Sequence, residues 1–159
     1  MKRSVYIETT IPSFYYEVRA EPEMIARRDS TRRWWTEESP WYELFCSAFV
    51  VGELQDGDYP GKDEAVRLVE TLPLLEVVPE VEEIVRVYLR RQLMPFGDAY
   101  HLAMASYYGM HFLLTWNCRH LANANKVRHL QAVNGELGLP VPIVTTPDLL
   151  LMESDHDEG

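Results

Sequence analysis

Residues Phe96–Asn117 read FGDAYHLAMASYYGMHFLLTWN, and this stretch decides the fold. Pro95 and Gly97 punctuate its start, which puts Asp98 in the first turn of a helix. Ala99, Ala103, Ala105 and Ser106 let that helix lie close against a flat surface. Gly109 suits the helix C-terminus, where a left-handed residue is needed. Phe112–Thr115 is then a short apolar run, as expected for a strand buried on both faces. Helix, tight turn and strand make half of a parallel α/β unit. The half-unit carries Asp98 at one end and Asn117 just past the other. In open parallel sheets, chemistry gathers at the carboxyl ends of the strands.

The same alternation extends in both directions. Strands are expected over residues 4–8, 41–46, 75–78 and 143–145, with helices over 13–18, 22–38, 47–57, 62–72, 80–93, 123–137 and 147–151. Ser47 is placed to cap one helix, and Ala65, Leu68, Val69 and Leu72 recur at helical spacing in the next. Strands alternating with helices predict an α/β fold, a parallel sheet covered on both faces and joined by right-handed crossovers.

A chain of 159 residues, 47% hydrophobic and 11% aromatic, is long and apolar enough for one globular domain. That domain is expected over residues 1–152, with the acidic residues 153–159 as a frayed tail. No apolar run approaches the roughly 20 residues that span a bilayer, and the N-terminus lacks the apolar region of a signal peptide. A cytoplasmic protein is expected. Cys46 and Cys118 form neither a CxxC nor a zinc spacing, and free thiols are expected. The net charge of −10 argues against a generic nucleic-acid binder, but not against an enzyme whose acids hold metal ions.

Three acids fall at comparable places in the βα units. Glu8 ends the first strand, Glu53 lies on the helix after the second, and Asp98 opens the helix before the fourth; Asn117 follows the fourth strand. If the first and fourth strands are neighbours, all four meet in one cleft. Clustered carboxylates oppose one another's ionisation unless a cation joins them. Hard oxygens without a His or Cys cluster suit Mg2+ or Mn2+, which can activate water against a phosphodiester. Each residue also has a plainer explanation. Asp98 fits a first-turn carboxylate matched to the helix dipole, Glu53 a helix-surface acid, Glu8 a solvated strand end and Asn117 a turn residue. His101 reads as a partly buried, hydrogen-bonded histidine rather than a ligand. Arg119 and His120 read either as phosphate contacts or as loop residues.

Three segments, VYIETTIPS at Val5–Ser13, SAFVVGELQDGD at Ser47–Asp58 and GDAYHLAMASYYGMHFLLTWNCRHLANA at Gly97–Ala124, together resemble the PIN-domain family, in particular its VapC-type branch. The resemblance extends to IVTTPDLL at Ile143–Leu150, and Gly97–Ala124 is its most specific part. It implies a three-layer α/β/α Rossmann-like sandwich around a central parallel sheet. It also implies a metal-dependent endoribonuclease, often the toxin of a pair held inactive by a small antitoxin. Glu8, Glu53 and Asp98 match the family's first three acids, and Thr115-Trp116-Asn117 occupies the place of the fourth. Two positions depart from the pattern. Glu8 stands where aspartate is usual, and Asn117 stands where an acid is usual. One well-held ion and a weaker second one are therefore expected.

The function expected is hydrolysis of RNA phosphodiester bonds with Mg2+ or Mn2+. Glu8, Glu53 and Asp98 bind the metal, Asn117 assists, and Thr9 and Thr115 hydrogen-bond the acids from behind. The alternatives are a PIN-fold module that binds RNA or protein without cutting, which Asn117 motivates, and a phosphohydrolase on small nucleotides. TRRWWTEESPWYELF at Thr31–Phe45 interleaves arginines with Trp34, Trp35, Trp41 and Tyr42. That composition suits a protein interface or base stacking, although at least two of the rings, Trp41 among them, are expected in the core. An antitoxin helix is expected in a groove near residues 24–38, and a homodimer through the same region or through residues 62–72.

Overall fold

The two central strands carry short apolar runs, VYI and FLL, because both faces of the sheet are covered there. The computed structural model describes residues 2–153. In it, β1 (Arg3–Ile7), β2 (Tyr42–Ser47), β3 (Leu74–Leu75), β4 (Phe112–Leu114) and β5 (Ile143–Thr145) form one sheet in the order β3-β2-β1-β4-β5. Every neighbouring pair is parallel. Val5, Tyr6 and Ile7 lie opposite Phe112, Leu113 and Leu114, and all six side chains are buried. Full burial of such a residue stabilises by about 1.5–3 kcal/mol, so these two short strands anchor the core.

The first half of the chain winds one way from β1 and the second half winds the other. Right-handed crossovers then put the two sets of helices on opposite faces. The helices α1 (Thr10–Tyr15), α2 (Pro22–Arg33), α4 (Lys62–Glu70) and α8 (Pro147–Glu153) pack with one another. On the other side, α5 (Pro79–Arg90) packs on α6 (Phe96–Tyr107). There α7 (Ala124–Leu137) joins them through Asn134, whose Oδ1 accepts from the Tyr88 hydroxyl at 2.5 Å and whose Nδ2 donates to Ser106 Oγ at 2.9 Å. Between the two groups, α3 (Ala48–Asp56) packs on α4 and reaches α6 through Phe49, whose ring stacks on Tyr100 at 4.5 Å. The direction of winding reverses between β1 and β4, so Glu8 and Asn117 flank the switch point.

Most element boundaries follow the sequence. Ser47 caps α3 by accepting from Val50 N at 3.1 Å, and Gly109 takes the expected left-handed conformation with φ of 67°. The first helix begins earlier than residue 13, because the Glu8 carboxylate accepts from Thr10 N at 3.1 Å and starts the turn there. The third strand is only two residues long, begins one residue before the expected 75–78 and shares Leu75 with it. The helix expected over 22–38 is α2 only to Arg33. A wide π-helical turn over Trp34–Glu38 and a 3-10 turn over Ser39–Trp41 carry the chain on to β2. Trp34 is fully buried there and stacks on Tyr42 at 5.8 Å. This corrects the expectation for Trp41. It precedes the strand rather than opening it, and it is 54% exposed because Trp34 fills the core position. Both cysteines are free, as expected. Cys46 is buried, and its burial pushes the thiol up to about 12; Cys118 is exposed. No helix among the described residues is long and apolar enough to cross a membrane. The frayed tail falls almost wholly on residues 154–159, outside the described ones, while Glu153 ends α8.

Candidate active site

At the switch point the sequence places a carboxylate directly after β1, where the chain leaves the sheet. Glu8 still pairs with the neighbouring strand, its N donating to Leu114 O at 3.1 Å. Its side chain is only 4% exposed. One oxygen, Oε1, takes three donors: Thr10 N, the Thr10 hydroxyl and Thr115 Oγ1 at 2.6 Å. A buried anion needs such donors, since each hydrogen bond to a charged group contributes about 1.5–3 kcal/mol. The other oxygen, Oε2, faces His101 Nε2 at 3.8 Å.

His101 comes from the second turn of α6 and is 1% exposed. Its Nε2 lies 2.7 Å from Glu53 Oε1, and its Nδ1 lies 2.9 Å from the Tyr6 hydroxyl. Tyr6 in turn meets Ser47 Oγ at 2.8 Å. A relay therefore runs from Ser47 at the end of β2, through Tyr6 on β1, to His101 on α6 and Glu53 on α3. Burial would lower the His101 pKa, but the Glu53 hydrogen bond and the charges of Glu8, Glu53 and Asp98 outweigh it and raise it. Burial would conversely raise Glu53, yet the hydrogen bonds from His101 and Thr9 hold it below the usual carboxylate range. Thr9 Oγ1 donates to Glu53 Oε1 at 2.5 Å.

Asp98 stands in the first turn of α6 and is half-buried. Burial raises its pKa, with Glu53 adding to the rise and His101, His120 and the Asn117 hydrogen bond opposing it. Asn117 Nδ2 donates to Asp98 Oδ1 at 2.8 Å. The orientation of this amide is fixed at its other end, because His120 N donates to Asn117 Oδ1 at 3.2 Å. Asn117 therefore presents donors to the cluster, and its oxygen closes the loop instead. Thr115 Oγ1 accepts from Asn117 N at 2.9 Å, so a single threonine ties the first acid to the fourth position.

The sequence-chosen residues thus meet. Glu8, Glu53 and Asp98 surround His101, and Thr9, Thr115 and Asn117 hydrogen-bond to them. Arg119 is exposed on the loop after β4, with its carbonyl accepting from Asn123 Nδ2 at 2.9 Å. Four supporting residues were missed. Thr10 bridges Glu8 and Trp116 N, the latter at 2.8 Å. Thr31 accepts from the Trp116 indole at 2.8 Å. Tyr6 and Ser47 complete the relay. A tyrosine inside an apolar strand was a usable signal for Tyr6, since a buried phenol needs a partner. Gly97 also has a role beyond punctuation, because a Cβ on it would lie 3.1 Å from Glu53 Oε2.

No protein-family model matches the chain, and no curated protein does. Solved structures do match. The chain is similar to VapBC2 from Rickettsia felis bound to a DNA fragment from its promoter, at 13% identity and a TM-score of 0.59, over 90% of this chain and 98% of that one. A toxin-antitoxin complex from Klebsiella pneumoniae matches at 17% identity and a TM-score of 0.56, over 90% and 97%. FitAcB from Neisseria gonorrhoeae matches at 16% identity and a TM-score of 0.53, again over 90% and 97%. At such identities the likeness is one of fold. The strand order, the switch point and these matches show that the chain shares the fold of these structures, a five-stranded parallel sheet covered by helices.

Proposed function

We propose that the chain is an endoribonuclease requiring Mg2+ or Mn2+, and that it is the toxin of a toxin-antitoxin pair. The observation that carries this reading is the convergence of Glu8, Glu53 and Asp98 at the switch point. One oxygen of each is held by donors, leaving Glu8 Oε2, Glu53 Oε2 and Asp98 Oδ2 outside those hydrogen bonds. Three carboxylates and no thiol fit a hard cation in donor chemistry. Among the described residues no group of three or more His, Cys, Asp and Glu side chains is already gathered around one ion position. The donor set fits the ion, then, without forming a finished cage.

Glu8, Asp98 and Glu53 would hold the ion, which supplies positive charge to the phosphate and lowers the pKa of water. The chain's own residues set the stage. Thr10 and Thr115 lock Glu8, His101 and Thr9 lock Glu53, and the Asn117 amide holds Asp98. Three like charges are otherwise repulsive, and His101 between them offsets part of that repulsion. Arg119 would meet the RNA backbone.

A small antitoxin and a homodimer belong to the same reading. One of the matched structures is a toxin-antitoxin complex, which supports the antitoxin, and a chain of net charge −10 suits a basic partner segment. Thr31 is the only residue α2 buries fully, so this helix has surface to offer a partner.

The test is incubation of a mixed RNA pool with the wild type and with Asp98→Ala, each with Mn2+ and with a chelator. Cleavage is expected only from the wild type with Mn2+. RNA bound but uncut under every condition would favour the binding-module reading, for which the Asn117 oxygen, held by the loop and away from the acids, is the supporting observation.

A further inference from the structure

A groove of about 420 Å3 opens beside Glu53, lined by Phe49, Gly52, Glu53, Asp56, Phe96 and Gly97. Phe96, at the start of α6 and two residues before Asp98, is 60% exposed. Exposing a phenyl ring forgoes burial that would stabilise the fold. The ring is not loose. It packs edge-on against Tyr100 at 5.1 Å, and Tyr100 stacks on Phe49 at 4.5 Å with the planes 6° apart. Phe49 in turn meets His101 edge-on at 5.2 Å, which connects the aromatic pile to the acidic cluster.

Gly52 on the groove floor is a second, independent oddity. It sits in the middle of α3, where glycine is a poor helix former. A Cβ there would meet nothing within 4 Å, so no neighbour in this chain requires the glycine. What a methyl group would occupy is the groove itself.

We propose that this groove is a nucleobase subsite. Phe96 stacks an unpaired base next to the phosphate that is cut, and Gly52 leaves room for it. This inference rests on the endoribonuclease reading. The occupant follows from continuity with the acidic cluster and from the lining. An aromatic face binds any base by stacking, while the lining offers carboxylates and no cation, so the groove takes the base and not the phosphate. A base can reach such a ring only when it is unstacked from its neighbours, so the strand at this point is single. Purines, with the larger face, bind better than pyrimidines.

The experiment uses a short single-stranded RNA with 2-aminopurine at one position, titrated in chelator so that binding is read without cleavage, followed by cleavage with Mn2+. The proteins are the wild type, Phe96→Ala, Phe96→Tyr and Gly52→Ala. The wild type quenches the 2-aminopurine. Phe96→Ala weakens binding about five- to hundred-fold, the range of one lost stacking contact, and Phe96→Tyr restores it. Gly52→Ala also weakens binding while its Tm is equal to or above that of the wild type, which excludes misfolding as the cause. Equal affinity and quenching in wild type and Phe96→Ala overturns the subsite, even if both proteins cut RNA. Absence of binding by the wild type overturns it as well. Quenched binding without cleavage by the wild type supports the subsite and counts against the nuclease reading instead.

Discussion

Asn117→Asp restores the acid that the resemblance leads one to expect, at a cost set by the geometry around Asp98. The Asn117 amide donates to Asp98 Oδ1 at 2.8 Å. In the variant that donor becomes a second carboxylate. At a relaxed separation of about 4 Å, two charges repel by about 4 kcal/mol near a protein surface. Both residues are half-buried, so solvent reduces this, while loss of the hydrogen bond adds about 1 kcal/mol. The net cost in the absence of metal is about 2–4 kcal/mol, or on the order of 10 °C in Tm for a domain of this size. A divalent cation reverses the balance, because a fourth carboxylate raises its affinity and binding to the native state stabilises it. The assay is thermal unfolding of wild type and variant in chelator and in Mn2+. The variant is expected to melt below the wild type in chelator, and to gain more degrees than the wild type on addition of Mn2+. Equal melting in chelator would refute the Asn117–Asp98 contact. An equal metal response would refute the claim that this position faces the ion.

Two further predictions concern the cluster. His101 has a raised pKa, so its contribution to stability is present below its ordinary 6.5 and is lost as pH rises through the higher folded value. Glu53 has a lowered pKa, so its contribution is present above its ordinary 4.5 and is lost as pH falls through the lower folded value. Without metal, Tm against pH should therefore be highest between about 4.5 and 6.5 and fall above that range, and His101→Gln should flatten the fall. Gly97→Ala puts a methyl group 3.1 Å from Glu53 Oε2 and must displace that carboxylate; Mn2+ affinity measured by calorimetry should drop several-fold, with Tm within about 2 °C of the wild type.

What could be read in advance divides along physical lines. Helix ends governed by local chemistry were legible, including the Ser47 cap and the left-handed Gly109. The pairing of β1 with β4 was supposed rather than read, because apolar runs buried on both faces do not encode which strand lies beside which. The passage from Trp34 to Trp41 was not legible either. Two adjacent tryptophans compete for one core position, and Trp34 wins by stacking on Tyr42 from the neighbouring β2, a contact that periodicity does not encode. In the site, the acids were legible by their places in the βα units. The Ser47–Tyr6–His101–Glu53 relay was hidden because its members lie 41, 95 and 48 positions apart. Asn117 was expected to assist the acids, and only the loop geometry, with His120 N on Oδ1, shows that it does so through its nitrogen.

The central claim is that Glu8, Glu53 and Asp98 act together on a divalent cation. Calorimetric titration of Mn2+ into the wild type and Asp98→Ala tests it most directly, repeated with a short RNA present. Saturable binding to the wild type is expected, strengthened by RNA and lost in the variant. Equal binding by the two proteins, or none by the wild type even with RNA, would contradict it.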